Sequence, residues 1–121
     1  MADIIQVTPS ARVKLQKNSG SVLYDQIFAP AADTYTSHVG EAITIATNTS
    51  QTLNKGNIAA FRNLLIQADA ACKVKLNSQA TGTPLVGSNS VFAAFSCSAV
   101  TVIVVNESTT ATCTIHYVGT N

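Results

Sequence analysis

The side chains that could carry chemistry are few and far apart along the sequence. The chain has 121 residues with two histidines, six carboxylates and three cysteines, and the cysteines form no Cys-x-x-Cys pair. An activated nucleophile needs a neighbouring base, and a zinc site needs closely spaced ligands. Neither pattern occurs, and we interpret His38 and His116 as surface hydrogen-bonding residues. The sequence therefore predicts a protein that is not an enzyme and that holds no metal or cofactor.

The residues around two cysteines indicate that their thiols point inward. Cys72 alternates in step with Val74, and Cys113 alternates in step with Ile115. Buried cysteines usually behave as small apolar residues and stay reduced. The first ten residues, MADIIQVTPS, lack the basic region and the apolar core of a signal peptide. We therefore expect the chain to fold in a reducing cytoplasm.

The strongest secondary-structure signal lies in residues 91–118, centred on the sequence AVTVIVV at positions 99–105. Its β-branched residues predict a strand, and both faces of that strand are apolar. Such a strand needs cover on two sides, from a second sheet plus a loop or from another copy of the chain. We therefore predict self-association on one of its two faces, so that Ile103→Asp should split the oligomer or unfold the domain. One face consists of Ala99, Thr101, Ile103 and Val105, and the other consists of Val100, Val102 and Val104.

Further strands follow from alternating apolar residues. Residues 110–118 place Cys113, Ile115 and Tyr117 on one side, and the preceding Asn-Glu-Ser-Thr at 106–109 predicts a turn. Residues 41–47 alternate in the same way. Residues 63–68 and 72–77 are joined by a short Asp-Ala-Ala link, and we predict that they pair as a β-hairpin.

The spacing of these segments predicts the fold class. Turn signals recur about every ten residues, which is typical of a sandwich or barrel, and no crossover helix separates the strands. We predict an all-β protein with an antiparallel β-sandwich, jelly-roll-like in arrangement. We also predict that residues 1–121 form a single domain.

The N-terminal segment admits two interpretations. Residues 12–17 alternate, residues 18–20 form a turn, and residues 21–28 supply a pairing strand. Arg12, Lys14 and Lys17 form the one basic cluster of the sequence, and a solvated strand face explains it. The functional alternative is that residues 1–17, interrupted by Pro9, form an arm that docks on an acidic partner surface. The segment is equally well explained as the first strand of the sandwich.

The composition argues against several classes of partner. Charged residues make up 11% of the chain and the net charge is +1, whereas an average protein has about 25% charged residues. A protein that binds nucleic acid through its phosphates needs an excess of cations. No apolar run approaches the roughly 18 residues that span a bilayer. We therefore expect neither a nucleic-acid partner nor a membrane.

Three consecutive segments of the second half carry a resemblance to a known group of proteins. They are NLLIQADAACKVKLN at 63–77, TGTPLVGSNSVFAAF at 81–95 and AVTVIVVNESTTATCTIHYV at 99–118. This order of strands and turns resembles the C-terminal half of small β-sandwich virion proteins of tailed bacteriophages. The group includes head decoration (cement) proteins and related fibre bases.

The resemblance implies a non-enzymatic structural role. A decoration protein assembles in the host cytoplasm, binds the outside of the phage head and is commonly a homotrimer. The implied partners are the major capsid protein and further copies of this chain, and the implied location is the virion. A fibre base, or a receptor- or glycan-binding module of a head or tail fibre, is the alternative.

Overall fold

All regular elements of the described chain are β-strands. The structure is a computed structural model that describes residues 5–7, 10–28, 33–35 and 37–121. The predicted all-β, antiparallel sandwich is confirmed. The strands are β1 (Ile5–Val7), β2 (Ala11–Gln16), β3 (Val22–Phe28), β4 (Asp33–Tyr35), β5 (His38–Ile45), β6 (Thr49–Thr52), β7 (Asn63–Ala68), β8 (Cys72–Leu76), β9 (Thr83–Leu85), β10 (Ser90–Ala94), β11 (Val102–Asn106) and β12 (Cys113–Thr120).

The chain divides into two compact units, Met1–Thr36 and Ser37–Asn121. The first unit contains two separate pairs of strands, β1 with β4 and β2 with β3. The second unit contains the eight strands β5 to β12, which form both sheets of the sandwich. A single domain over residues 1–121 stays a prediction, because the sandwich itself lies within the second unit.

The eight strands of the second unit have the order of a jelly roll. The first sheet is β10-β7-β12-β5 and the second sheet is β6-β11-β8-β9. Counted from β5, the first strand pairs with the eighth, the second with the seventh, the third with the sixth and the fourth with the fifth. This nested antiparallel pairing defines the double-sheet jelly roll.

The core lies between the two sheets and is built by alternation. On β7 and β12, Leu64, Ile66 and Ile115 point inward from the first sheet, while Val74 and Val104 point inward from the second. All five are fully buried. The inward positions of Cys113, Ile115 and Tyr117 that the sequence predicts are confirmed.

The predicted hairpin of residues 63–77 is wrong, although both of its strands exist. β7 pairs with β10 and β12 in the first sheet, whereas β8 pairs with β11 and β9 in the second. The Asp-Ala-Ala link therefore carries the chain across the core from one sheet to the other. β7 and β8 each have an apolar face, and the two faces pack against each other across the core. Two strands paired side by side in one sheet would point these faces in the same direction, so the faces could not meet.

The N-terminal hairpin of residues 11–28 is confirmed. β2 and β3 pair antiparallel from Ala11 opposite Phe28 to Gln16 opposite Val22, with a bulge between Leu15 and Gln16. The turn between them contains Gly20 with a φ of 95°, a conformation that glycine adopts without a steric cost. Every residue of β2 and β3 is exposed.

Candidate interaction surfaces

The two histidines occupy exposed positions on the first sheet. His38 begins β5, and His116 lies on β12 opposite Gln67 and Ala42. Within the part of the chain that the structure describes, no three His, Cys, Asp or Glu side chains are grouped so as to hold a metal ion. Neither histidine therefore belongs to such a group.

The inward-facing cysteines are confirmed as buried free thiols. Cys72 and Cys113 are buried and Cys97 is half-buried. Burial, reinforced by the neighbouring thiol of Cys113, raises the pKa of Cys72 to about 12. A thiol with such a pKa is protonated at neutral pH, and only the thiolate is a good nucleophile. These cysteines pack the core.

Tyr117 ties the first sheet to the loop that follows β6. Its hydroxyl lies 2.9 Å from the backbone oxygen of Asn54 and is hydrogen-bonded to a carboxylate oxygen of Glu41. Burial, together with the adjacent carboxylate, raises the pKa of Tyr117 well above its usual range. The hydroxyl therefore stays protonated and serves as a structural donor.

Three of the residues predicted to contact another copy are buried inside the protomer. Ala99 is fully buried and exchanges two backbone hydrogen bonds with Phe61, at 2.9 and 3.0 Å. On the alternative face, Val102 and Val104 are fully buried in the core, and Val100 is exposed ahead of β11. Because β11 begins at Val102, strand parity does not extend back to Ala99. These three buried residues are therefore excluded from a contact with another copy.

The remaining predicted residues, Thr101, Ile103 and Val105, are half-buried at the outer side of the second sheet. Ile103 lies opposite Lys75 on one neighbouring strand and opposite Thr52 on the other. Side chains paired in this way touch across the sheet, and lysine stems cover apolar neighbours while the ammonium group stays in water. The inner face of this strand is therefore covered by the other sheet, and its outer face is covered in part by its neighbours, where self-association stays a prediction.

The predicted basic cluster lies on the N-terminal hairpin. Arg12 donates two hydrogen bonds to Asp25, at 2.8 and 2.6 Å, and the guanidinium holds the pKa of that carboxyl below its usual range. Lys14 lies opposite Asp25, and Lys17 is exposed in the turn. Because Arg12 and Asp25 neutralise each other, Lys14 and Lys17 supply the net positive charge of the hairpin.

The other side of the same hairpin carries no charged residue, and we name it the hairpin face; the charged side also exposes Val22 and Ile27. Opposite residues of an antiparallel pair share a side, so the register brings together residues from both strands. Val13, Leu15, Tyr24 and Phe28 are 43%, 54%, 43% and 52% exposed. The sequence shows Val13 and Leu15 on one side of β2, but only the register adds Tyr24 and Phe28. The hairpin face consists of Ala11, Val13, Leu15, Tyr24, Gln26 and Phe28.

An open groove lies beside the outer end of the second sheet. Its volume is about 270 Å³, and Leu85, Pro84 and Val105 line it. Lys73 and Glu107 also line it and form an ion pair of 3.0 Å. The groove has room for an apolar side chain, and the ion pair leaves no unmatched charge there to select a small ligand.

Comparison with known proteins adds no relative. No family model, no curated protein and no solved structure matches the chain. Among the described residues, no helix is long and apolar enough to cross a membrane.

Proposed function

We propose that this chain is a non-enzymatic virion structural protein, a decoration protein that binds the outside of a phage head and stabilises it. The hairpin face carries this proposal. A two-stranded sheet is marginally stable in water unless further strands or a partner cover an apolar side. Large exposed apolar patches are typical of interaction sites. The hairpin therefore fits a binding element better than a solvated strand pair.

The charge on the hairpin adds to the same proposal. Lys17 lies in the turn at one end of the hairpin face, whereas Arg12 and Lys14 lie on the opposite side, where Arg12 is matched by Asp25. An apolar contact gives affinity, while a cation at its rim favours an acidic partner and speeds association. The partner that we propose is the major capsid protein, contacted through an apolar site with an acidic border.

The jelly roll supplies the rigid body of such a protein. This architecture is shared by viral capsid domains and lectins, so it permits both the proposed role and the glycan-binding alternative. Sugar sites commonly present an exposed aromatic ring, and the chain has no Trp. Within Ser37–Asn121, Phe61 and Tyr117 are buried while Phe92 and Phe95 are half-buried. These positions argue against a glycan site on the jelly roll itself, and the exposed rings of Tyr24 and Phe28 lie on the hairpin face.

The proposed mechanism is mechanical. A bound copy buries area across neighbouring capsid subunits and so opposes their separation under the pressure of the packaged genome. Many copies act together, so each contact need only be of ordinary size. The resemblance implies a homo-oligomer, commonly a trimer, located on the virion. The low charge and the lack of a long apolar run in the sequence argue against nucleic acid and a membrane as partners.

The test is co-sedimentation of the full chain with undecorated capsids of the phage that carries it. We expect saturable binding that Leu15→Glu weakens by at least about tenfold, because a carboxylate would be buried in an apolar contact. Gln16→Glu is the matched control, since it adds the same charge at the adjacent position on the other side of β2. Binding that does not saturate, or that both variants reduce equally, contradicts the proposal.

A further inference from the structure

The outer side of the first sheet is free of charged residues on all four of its strands. The eight strands of the jelly roll contain only three charged side chains, Glu41, Lys73 and Lys75. Glu41 hydrogen-bonds to Tyr117, and the two lysines lie on the second sheet. A sheet side without any charge is unusual for a surface exposed to water, because surfaces are rich in Lys, Glu, Asp and Arg.

One row of side chains crosses this side as a continuous apolar band. The register places four residues side by side on β10, β7, β12 and β5. Val118 at the centre of the band is 42% exposed. The small residues at its two ends permit the close approach of another sheet, since packed sheets lie about 10 Å apart. The band consists of Ala93, Leu65, Val118 and Gly40.

The next row along the strands contains no Asp, Glu, Lys or Arg and is partly apolar. Val91, at the outer strand of this row, is 59% exposed. Beyond the second row, the hydroxyls of Thr44 and Thr114 are hydrogen-bonded to each other at 3.0 Å. We name the two rows together the neutral face. The second row consists of Val91, Gln67, His116 and Ala42.

We infer that the neutral face is a contact between two copies of this chain. Electrostatic matching selects this occupant: a neutral side loses no hydration of charge when it meets its own copy. A charged partner, in contrast, would have to desolvate its charges against two rows that offer none in return, and the carboxylate at their border, Asp69, accepts a hydrogen bond from the backbone amide of Thr114 at 2.8 Å. Two copies that met through their second sheets would have to bury the ammonium group of Lys75, whereas Lys73 is already matched by Glu107.

The size and symmetry of the face define the assembly. A side that meets its own copy is isologous, so the contact pairs two copies about a two-fold axis. Four strands about 4.8 Å apart give a side smaller than the roughly 800 Å² per partner of a standard interface. The pair is therefore reversible in solution. If the chain decorates a capsid as proposed, the capsid surface concentrates the copies and strengthens the contact.

Sedimentation velocity of the full chain tests the inference. Protein concentrations from about 5 to 500 µM cover the dissociation constants expected for a small interface. We expect a monomer–dimer equilibrium. Val118→Lys, and independently Val91→Lys, should raise the dissociation constant at least about tenfold, because each buries an unpaired ammonium group in the contact. Ile103→Lys is the matched control on the second sheet and should leave the equilibrium unchanged. Circular dichroism identifies any variant that has lost its fold.

The outcomes separate this inference from the proposed function. A monomer at every concentration, a dimer that survives both neutral-face substitutions, or a dimer that Ile103→Lys splits would overturn the inference. A trimer, the state that the resemblance implies, would agree with the proposed function and would overturn the two-fold contact. Capsid binding is measured separately with Leu15→Glu, which lies in the other unit of the chain. Loss of capsid binding with an intact dimer would overturn the proposed function alone.

Discussion

Phe61 is the largest fully buried side chain of the described residues, and its ring packs against the backbone of Gly119. A Cβ atom at Gly119 would lie 2.3 Å from Cε1 of the Phe61 ring. Interiors are packed to the density of organic crystals, so neither the ring nor β12 has room to move aside. Glycine at position 119 therefore leaves the space that the ring of Phe61 occupies.

Gly119→Ala should therefore destabilise the jelly roll by about 1–3 kcal/mol, the usual cost of overpacking a core. The measurement is the midpoint of chemical denaturation. Gly87→Ala is the control, because no atom lies within 4 Å of the corresponding Cβ. Adding Phe61→Leu makes room, so the double variant should lose less stability than the sum of the two single changes. Equal midpoints for the two glycine variants would contradict this packing.

At the scale of elements, the connection between β11 and β12 shows how the chain crosses between sheets. Asn106, the last residue of β11, is fully buried. Its amide donates to the backbone oxygens of Ala111 at 2.9 Å and Ile45 at 3.3 Å, and its side-chain oxygen accepts from the backbone amide of Ser108 at 3.1 Å. One side chain thereby holds the crossing loop against the end of β5.

Asn106→Ala should cost about 1–3 kcal/mol of unfolding free energy, because buried backbone oxygens lose their donor and gain no water. Guanidinium denaturation followed by circular dichroism measures the loss. Asn57→Ala, at an exposed position in the loop after β6, should change stability by less than about 0.5 kcal/mol. A similar small change at both asparagines would show that the crossing is held by other contacts.

The sequence predicts strands better than it predicts their partners. Alternation located β7 and β8 and the inward face of β12, because burial imposes a period of two wherever one side meets the core. The prediction that β7 and β8 form a hairpin is wrong because a jelly roll pairs strands that are distant in sequence. Only β8 and β9 are both consecutive and paired within β5 to β12.

The interaction surfaces depend on this same register. Val13 and Leu15 are visible as one side of β2, yet Tyr24 and Phe28 join them only once β3 is aligned. The neutral face draws on four strands separated by up to about eighty residues, and no local pattern brings them together. The basic cluster of Arg12, Lys14 and Lys17 is visible in the sequence alone, because it lies within six consecutive residues.

At the scale of the whole molecule, the two units separate two kinds of contact. The hairpin face lies in Met1–Thr36, and the neutral face lies in Ser37–Asn121. Among the residues whose burial the structure describes, those of the core all come from the second unit. The proposed capsid contact and the inferred contact between copies therefore depend on different parts of the chain, so each can be altered while the other is kept.

A chain limited to residues 37–121 should consequently fold as a jelly roll without the first unit. It retains all eight strands of the jelly roll and the core between its two sheets, so we expect the far-ultraviolet circular dichroism of a β-protein and one cooperative unfolding transition, as small single domains show. The same chain should fail to bind capsids, because it lacks the hairpin face. The full chain is the control in both measurements. A truncated chain that lacks a cooperative transition would show that the first unit is needed for the stability of the sandwich.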